Sequence, residues 1–320
     1  MDRIDAMKVF VATLDEGSLA GAGRRLGRSP AAVSRAIAFL EAQVGAPLLH
    51  RTTRSLKMSE AGAQYALACR RVLTDLEEAI IIAAGAQSAP RGTLALTAPL
   101  LCGETILRPI VDAFLDGTPA ISARLHLLDR VVNLIDEGFD IALRMAYLAD
   151  SAFVAIRLGE VRRVVVAAPD YLAHHPAVED PRDLAGHQIV AYAPFGQDSW
   201  SFPPLPGGSV ARTVAFTPRL LINTARGAVS SAAAGRGITR VFSYQAAAFR
   251  RRGELEIILK DHEYPPVPVH LIIPPGRLSV PKVRAFVDFA VPRLRCHFAR
   301  LPQDLVATAS PLQRHAVSAG

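Results

Sequence analysis

Apolar residues along the first sixty positions recur at helical spacing, in three short blocks separated by glycines. In the third block Val33, Ile37 and Leu40 form one stripe, leaving Ala31, Ser34, Arg35 and Ala38 on the opposite side. Ser29 stands before this block as an N-cap, and Pro30 takes the first helical position, where a missing N–H costs nothing. The second block is capped by Ser18, turns Leu19, Ala22 and Leu26 inward, and stops at Gly27, a residue suited to a left-handed turn. Asp2 caps a first helix whose Ile4, Met7, Phe10, Val11 and Leu14 supply a third wall. The pattern predicts a helix-turn-helix. Its narrow outer face suits the major groove of DNA, with Ser34 and Arg35 as donors to base edges and phosphates.

After the third helix ends near Val44 and Gly45, residues 47–58 alternate apolar and polar and predict a two-stranded wing. Arg51, Thr52 and Arg54 fall at its tip, placed for phosphates or the minor groove. From Ser59 to about Ser88 the chain reads as one helix, with Tyr65, Cys69, Val72, Leu76, Ala79 and Ala83 at alternating four- and three-residue steps, a heptad seam. About 30 residues at 1.5 Å each extend roughly 45 Å. That exceeds what packing on a small domain needs, so dimerisation is preferred over a helix laid on its own domain. A dimer also presents two readers to two half-sites. Residues 85–91, GAQSAPR, form an exit.

The remaining pattern alternates strand and helix and predicts an α/β domain. Strands are expected at 93–97, 124–128 and 140–144, with helices at 104–115 and 131–137, giving a first lobe. Strands at 164–168, 188–192 and 238–242 and helices at 225–234 and 244–249 give a second. The strand 269–273 and the helix 282–294 return to the first.

Several stretches resemble the LysR-type transcriptional regulators: residues 7–13 (MKVFVAT), 17–19 (GSL), 25–37 (RLGRSPAAVSRAI), 40–41 (LE), 44–45 (VG), 49–52 (LHRT) and 59–62 (SEAG). The resemblance extends over nearly the whole chain. It implies a multidomain protein. An all-α winged helix-turn-helix and a long dimerising linker helix precede a two-lobed, periplasmic-binding-protein-like α/β effector domain, and the dimers usually assemble into a homotetramer. The expected segments are 1–58, 59–90 and 91–300, with 301–320 as a mobile tail. Crossovers near 159–163 and 267–269 would act as hinges. Two departures stand out: Gly21 and Gly23, where the family favours alanine, each cost about 1 kcal/mol of helix propensity. Leu49 replaces a phenylalanine often found before the wing.

In such sheets a ligand sits at the carboxyl ends of strands, where helix N-termini present unpaired N–H groups. One such end is 97–104, which contributes Thr97, Pro99, Leu100 and Cys102; the other is Asn223-Thr224. Arg144 would complement a carboxylate effector, and Tyr192, Phe195, Trp200 and Phe202 offer a lining for lobe two. Structural roles stay open beside these. Thr97 can simply end a strand, Asn223 cap a helix, Arg144 pair with Asp140, and the aromatic residues form core. Glu104, if it points inward, opposes an anion.

Charge sharpens the reading of the N-terminal segment. Between Leu19 and Ser59 the one acid is Glu41, against Arg24, Arg25, Arg28, Arg35, Arg51, Arg54 and Lys57. Such a run alone is equally a solvated surface, but it coincides with the helix-turn-helix and with a net charge of +7. No apolar run reaches membrane-spanning length and the first residues are no secretory signal, so a cytoplasmic protein without a membrane partner is expected. Cys69, Cys102 and Cys296 are scattered and odd in number, giving neither disulfides nor a metal set. They read as reduced packing residues; a redox sensor would need a low-pKa exposed thiol, for which Cys102 is the candidate. His174-His175 before Pro176 reads as a helix end rather than a metal site. No hydrolase elbow, P-loop, zinc-protease or dinucleotide motif is present, so neither catalytic residues nor a cofactor are expected. The competing classes are an enzyme fused to a DNA reader, which would turn over its bound molecule, and a ligand-blind architectural DNA binder.

Overall fold

The computed structural model describes residues 2–51, 56–83, 89–148, 152–204 and 209–301. The chain divides into two compact units, one of Met1–Ala89 with Ile135–Gly138, the other of Pro90–Leu134 with Phe139–Gly320.

The first unit contains α1 (Arg3–Glu16), α2 (Leu19–Leu26) and α3 (Pro30–Val44), the short strands β1 (Leu49–Arg51) and β2 (Leu56–Met58), and α4 (Glu60–Ala83). The expected caps form: Asp2, Ser18 and Ser29 accept from the N–H of Ile4, Gly21 and Ala32 at 3.3, 3.0 and 3.2 Å. Gly17, Gly27 and Gly45 end the helices in left-handed conformations. Val33, Ile37 and Leu40 are fully buried together with Phe10 and Val9. β1 and β2 pair antiparallel. The base of this wing is pinned by Glu41, whose carboxylate accepts the N–H groups of Leu48 and Leu49 at 2.9 and 3.1 Å.

The glycines of α2 have a packing reason. A Cβ on Gly23 would stand 2.6 Å from the Arg28 carbonyl oxygen, the stretch that turns the chain into α3. The Arg28 N–H closes that turn on the Gly23 carbonyl at 2.7 Å. Helix propensity is given up there so that the turn can lie against α2.

Along α4 the seam changes character. Cys69 is fully buried and Tyr65 lies against Phe10, ring centroids 6.0 Å apart. Farther along the seam Val72 is 41% exposed, and off the seam Leu67 and Ile80 are each 61% exposed. Tyr65 and Cys69 therefore pack on their own domain, while Val72 is left exposed. Residues 84–88, at the expected end of this helix, lie outside the described residues, as do Thr52 to Ser55.

The second unit continues with β3 (Gly92–Ala98), α5 (Leu100–Cys102), a π-helical turn Gly103–Leu107, α6 (Arg108–Asp116), β4 (Ile121–Leu127), β5 (Ile141–Met145) and β6 (Val154–Val161). The chain then crosses into lobe two: β7 (Arg163–Ala167), α7 (Pro169–Ala173), β8 (Val190–Tyr192), β9 (Ser199–Phe202), β10 (Arg212–Ala215) and β11 (Leu220–Ile222). It continues through α8 (Ala225–Ala233), β12 (Thr239–Phe242), α9 (Ser243–Arg251) and β13 (Glu256–Ile258), and returns through β14 (Val267–Ile273) and α10 (Pro281–Arg300).

Lobe one is a five-stranded sheet ordered β4-β3-β5-β14-β6, with β3 parallel to β4 and β5 and the returning β14 antiparallel to its neighbours. In lobe two β7 lies between β12 and β13, and a bridge from Ile238 to Ile189 links this group to the β8–β11 pair. The two crossovers are tied together where Arg162 clasps Glu263 with bonds of 2.7 and 2.6 Å.

One expected helix is absent. Residues 131–133 are irregular and 134–138 form turns, with Gly138 left-handed. Leu134 and Phe139 reach a small core with Ala95 and Ala142, while Val131 is 95% exposed. The apolar residues here do not share one face that a helix could bury.

Candidate DNA interface and effector cleft

On α3 the side opposite the buried stripe carries Ala31, Arg35 and Ala38 exposed, with Ser34 half-buried beside them. Ser29 and Pro30 are exposed at its start. Arg28, by contrast, is spent internally: its guanidinium clasps the Asp5 carboxylate at 2.8 and 2.6 Å, holding that carboxyl below its usual range. Arg25 pairs with Asp15 and Glu16 at 3.3 and 3.5 Å. Acids of α1 thus neutralise part of the basic run, while Arg24 and Arg35 stay exposed and have no ion-pair partner among the described residues. Arg51 closes β1; Thr52 and Arg54 lie outside the described residues.

Between the lobes of the second unit lies a cavity of about 830 Å³. Lobe one contributes Pro99, Asp129 and Arg144; lobe two contributes Tyr192, Phe195 and Phe242, with Arg163 and Arg240 among them. Asp129 sits at the end of β4 and accepts the Leu100 N–H at 2.9 Å and the Tyr192 hydroxyl at 3.2 Å. The chain's own carboxylate therefore occupies the backbone donor that the sequence offers to an incoming anion. Burial, and then Asp129, raise Tyr192 above its ordinary range and keep its proton in place. A second link between the lobes joins Glu104 to Arg226 of α8. Thr97 is fully buried and its Oγ1 accepts from Arg144 Nη2 at 3.3 Å, so it helps position that arginine.

Arg163 lies over the Phe195 ring, 5.0 Å from its centroid. Arg240 donates to the carbonyls of Ser201 and Phe195 at 2.9 and 2.6 Å and lies 5.1 Å from the Trp200 ring. Burial, and next the charge of Arg163, pulls Arg240 down to about 9. Burial lowers Arg163 as well. Both stay charged at neutral pH.

Residues 4–63 match the model of the bacterial regulatory helix-turn-helix protein, lysR family, and residues 87–295 match the LysR substrate binding domain. The chain belongs to the LysR family of transcriptional regulators. It is 35% identical over 288 residues to an HTH-type transcriptional regulator of Xanthomonas campestris pv. campestris, spanning 89% of this chain and 84% of that one. Against the HTH-type transcriptional activator AaeR of Escherichia coli it is 30% identical, spanning 85% and 87%. The solved structure of CrgA, a LysR-type transcriptional regulator from Neisseria meningitidis, is 28% identical with a TM-score of 0.57, over 91% and 98% of the two chains. The Vibrio cholerae virulence activator AphB shares the fold with a TM-score of 0.60 at 24% identity, over 91% and 99%. These relatives are regulators rather than enzymes, and the family's operator binding is modulated by an effector held in the substrate-binding domain.

In this LysR-type regulator the cleft gathers only part of the residues expected to touch effector. Pro99, Arg144 and Tyr192 line it. Trp200 does not: it is fully buried in a core with Phe202 and Val214, its ring edge-on to Phe216 with centroids 4.9 Å apart. Cys102 is fully buried in the core of lobe one, and burial pushes its thiol far above its ordinary range, which removes the thiolate a redox sensor needs. Leu100 serves through its backbone alone, by its bond to Asp129. Asn223 is exposed, and Thr224 precedes α8 without a side-chain cap bond; neither lines the cavity. Asp140 pairs with Lys282 and Arg277 rather than with Arg144. Among the described residues no cluster of histidine, cysteine and carboxylates is set to hold a metal, and no helix is long and apolar enough to cross a membrane.

Sequence reasoning missed Asp129, Arg163 and Arg240. The two arginines carried a signal, since Arg163 opens the apolar strand 163–167 (RVVVA) and Arg240 sits within 239–242 (TRVF). A charge in such a strand needs a reason.

Proposed function

We propose that this regulator reads its operator with the outer face of α3, Arg35 and Ser34 meeting base edges while Ser29, Pro30 and Ala31 let the helix start approach the backbone. Arg51, Thr52 and Arg54 of the wing hold phosphates or the minor groove. Later turns of α4 pair with a second copy, and such homodimers assemble into a homotetramer in the cytoplasm. The effector is a small carboxylate in the cleft, and its unequal affinity for open and closed lobes changes the spacing of the paired readers.

The observation that carries this reading is the exposed Arg35, lacking an ion-pair partner among the described residues and flanked by alanines on a capped helix. Competition of genomic fragments against shuffled DNA at moderate salt tests it. A retained preference that Arg35→Ala removes supports the reading, and equal affinity for both overturns it. Arg54→Ala should weaken all sequences alike.

A further inference from the structure

Two guanidinium groups, those of Arg163 and Arg240, share one wall of the cleft, and among the described residues neither has an ion-pair partner. Phe242 of β12 pairs with Arg163 of β7, so Arg240, two residues earlier, projects on the same face as Arg163. Both converge on Phe195, one over its ring and the other on its carbonyl. The acceptors that Arg240 has found are neutral, and among the described residues the buried Nε of each arginine has no hydrogen-bond partner. Among the described residues the groups acting on them electrostatically are Tyr147 and Tyr264, together with the push of Arg163 on Arg240.

A buried pair of like charges costs stability unless a counter-charge offsets it. Guanidinium forks match the two oxygens of a carboxylate. Around the pair stand ring faces: Tyr192 and Phe195 are 5.3 Å apart, Phe195 and Phe242 4.7 Å, Phe242 and Tyr244 6.2 Å. On lobe one Asp129 already holds the Leu100 N–H, so that donor is closed to a second anion and its charge repels one.

We propose that Arg163 and Arg240 jointly receive the anionic group of the effector, an aryl carboxylate whose planar apolar body lies against Phe195 and Phe242. The inference rests on the cleft being the effector site and adds the chemical class and the residues that select it. The anion offsets the repulsion within the pair, and the rings exclude water from the ion pair.

The test uses the full chain with benzoate, benzamide and benzamidine, alike in size and different in charge, followed by thermal melting and calorimetric titration. Benzoate is expected to raise Tm, and the neutral and cationic analogues to leave it unchanged. Arg163→Met should weaken benzoate at least tenfold, yet raise the Tm of the ligand-free chain by a few degrees, because one of two like charges is gone. An arginine serving only structure would lower that Tm. Arg240→Gln is the second variant, expected to lose benzoate with a lowered Tm, since it also gives up two carbonyl bonds. Stabilisation by benzamide equal to that by benzoate, or benzoate affinity unchanged in both variants, overturns the pair while leaving the cleft as a ligand site. If none of the three compounds shifts the melt, the aryl carboxylate class falls. The cleft itself is judged apart from that, by whether a metabolite extract alters the operator footprint of the parent chain but not of Ala146→Trp, which fills the cavity.

Discussion

The Tyr192 hydroxyl donates to the Asp129 carboxylate at 3.2 Å, from one lobe to the other across the cleft. The Leu100 N–H holds the other carboxylate oxygen, so the acid is fixed on lobe one and the tyrosine is the side of the link supplied by lobe two. Tyr192→Phe removes the link and keeps the ring. It is expected to cost about 1–2 kcal/mol, the worth of one hydrogen bond to a charged group, read as a lower urea midpoint. Hydrogen exchange in the crossover around Arg162 should quicken. An unchanged midpoint and exchange rate would show that the bond holds nothing together.

Arg35→Ala is expected to weaken specific operator binding by about 1–3 kcal/mol and to relax preference at one base position. Fluorescence anisotropy with single-base operator variants checks both effects. The helix should be unperturbed, because Arg35 is exposed and the buried stripe lies on the other side.

Gly23→Ala separates propensity from packing. Propensity alone makes it stabilising by about 1 kcal/mol, but the new methyl would stand 2.6 Å from a backbone oxygen. A net loss of about 1–3 kcal/mol is expected, measured by thermal melting, with weaker DNA binding as the turn into α3 is pushed away. A gain in Tm would mean that the turn yields freely.

Asp5 and Arg28 give a pH signature. The arginine's hydrogen bonds hold the Asp5 carboxyl below its usual value. A group with a lowered folded-state pKa adds stability above its unfolded value, near 3.9, and loses it as pH falls through the folded one. Asp5→Asn should therefore melt slightly lower than the parent at pH 7, and the difference should shrink as the pH is taken below about 4. Both side chains are about one-third exposed, so the effect should weaken in high salt. A gap in Tm that persists at low pH would assign the loss to packing.

The N-terminal unit was legible because its determinants are local. Ser29 caps three residues ahead, Pro30 pre-sets the first turn, and Val33, Ile37 and Leu40 face inward by spacing alone. What spacing could not show was pairing at a distance: Arg28 belongs to the basic run by sequence, yet its charge is taken up by Asp5, twenty-three positions earlier. The cleft was harder for the same reason. Asp129 reaches Tyr192 over 63 positions, and only the sheet register puts Arg240 beside Arg163. Trp200 and Tyr192 look alike in sequence, yet one fills a core and the other meets the cavity. The failed helix at 131–137 belongs with these cases, since its apolar residues answer to a distant strand, through Ala95, rather than to each other.

Tyr192 stands between opposite signs: it bonds Asp129 on one flank and packs edge-on against Phe195, beneath Arg163, on the other. On the proposed reading, an anion with an apolar body therefore enters with its charge toward Arg163 and Arg240 and away from Asp129. The reverse pose would bring its charge up to Asp129 and leave Arg163 and Arg240 without it. On that reading, orientation is chosen before any shape matching begins, and compounds of the right outline with the charge at the wrong end are expected to bind less tightly.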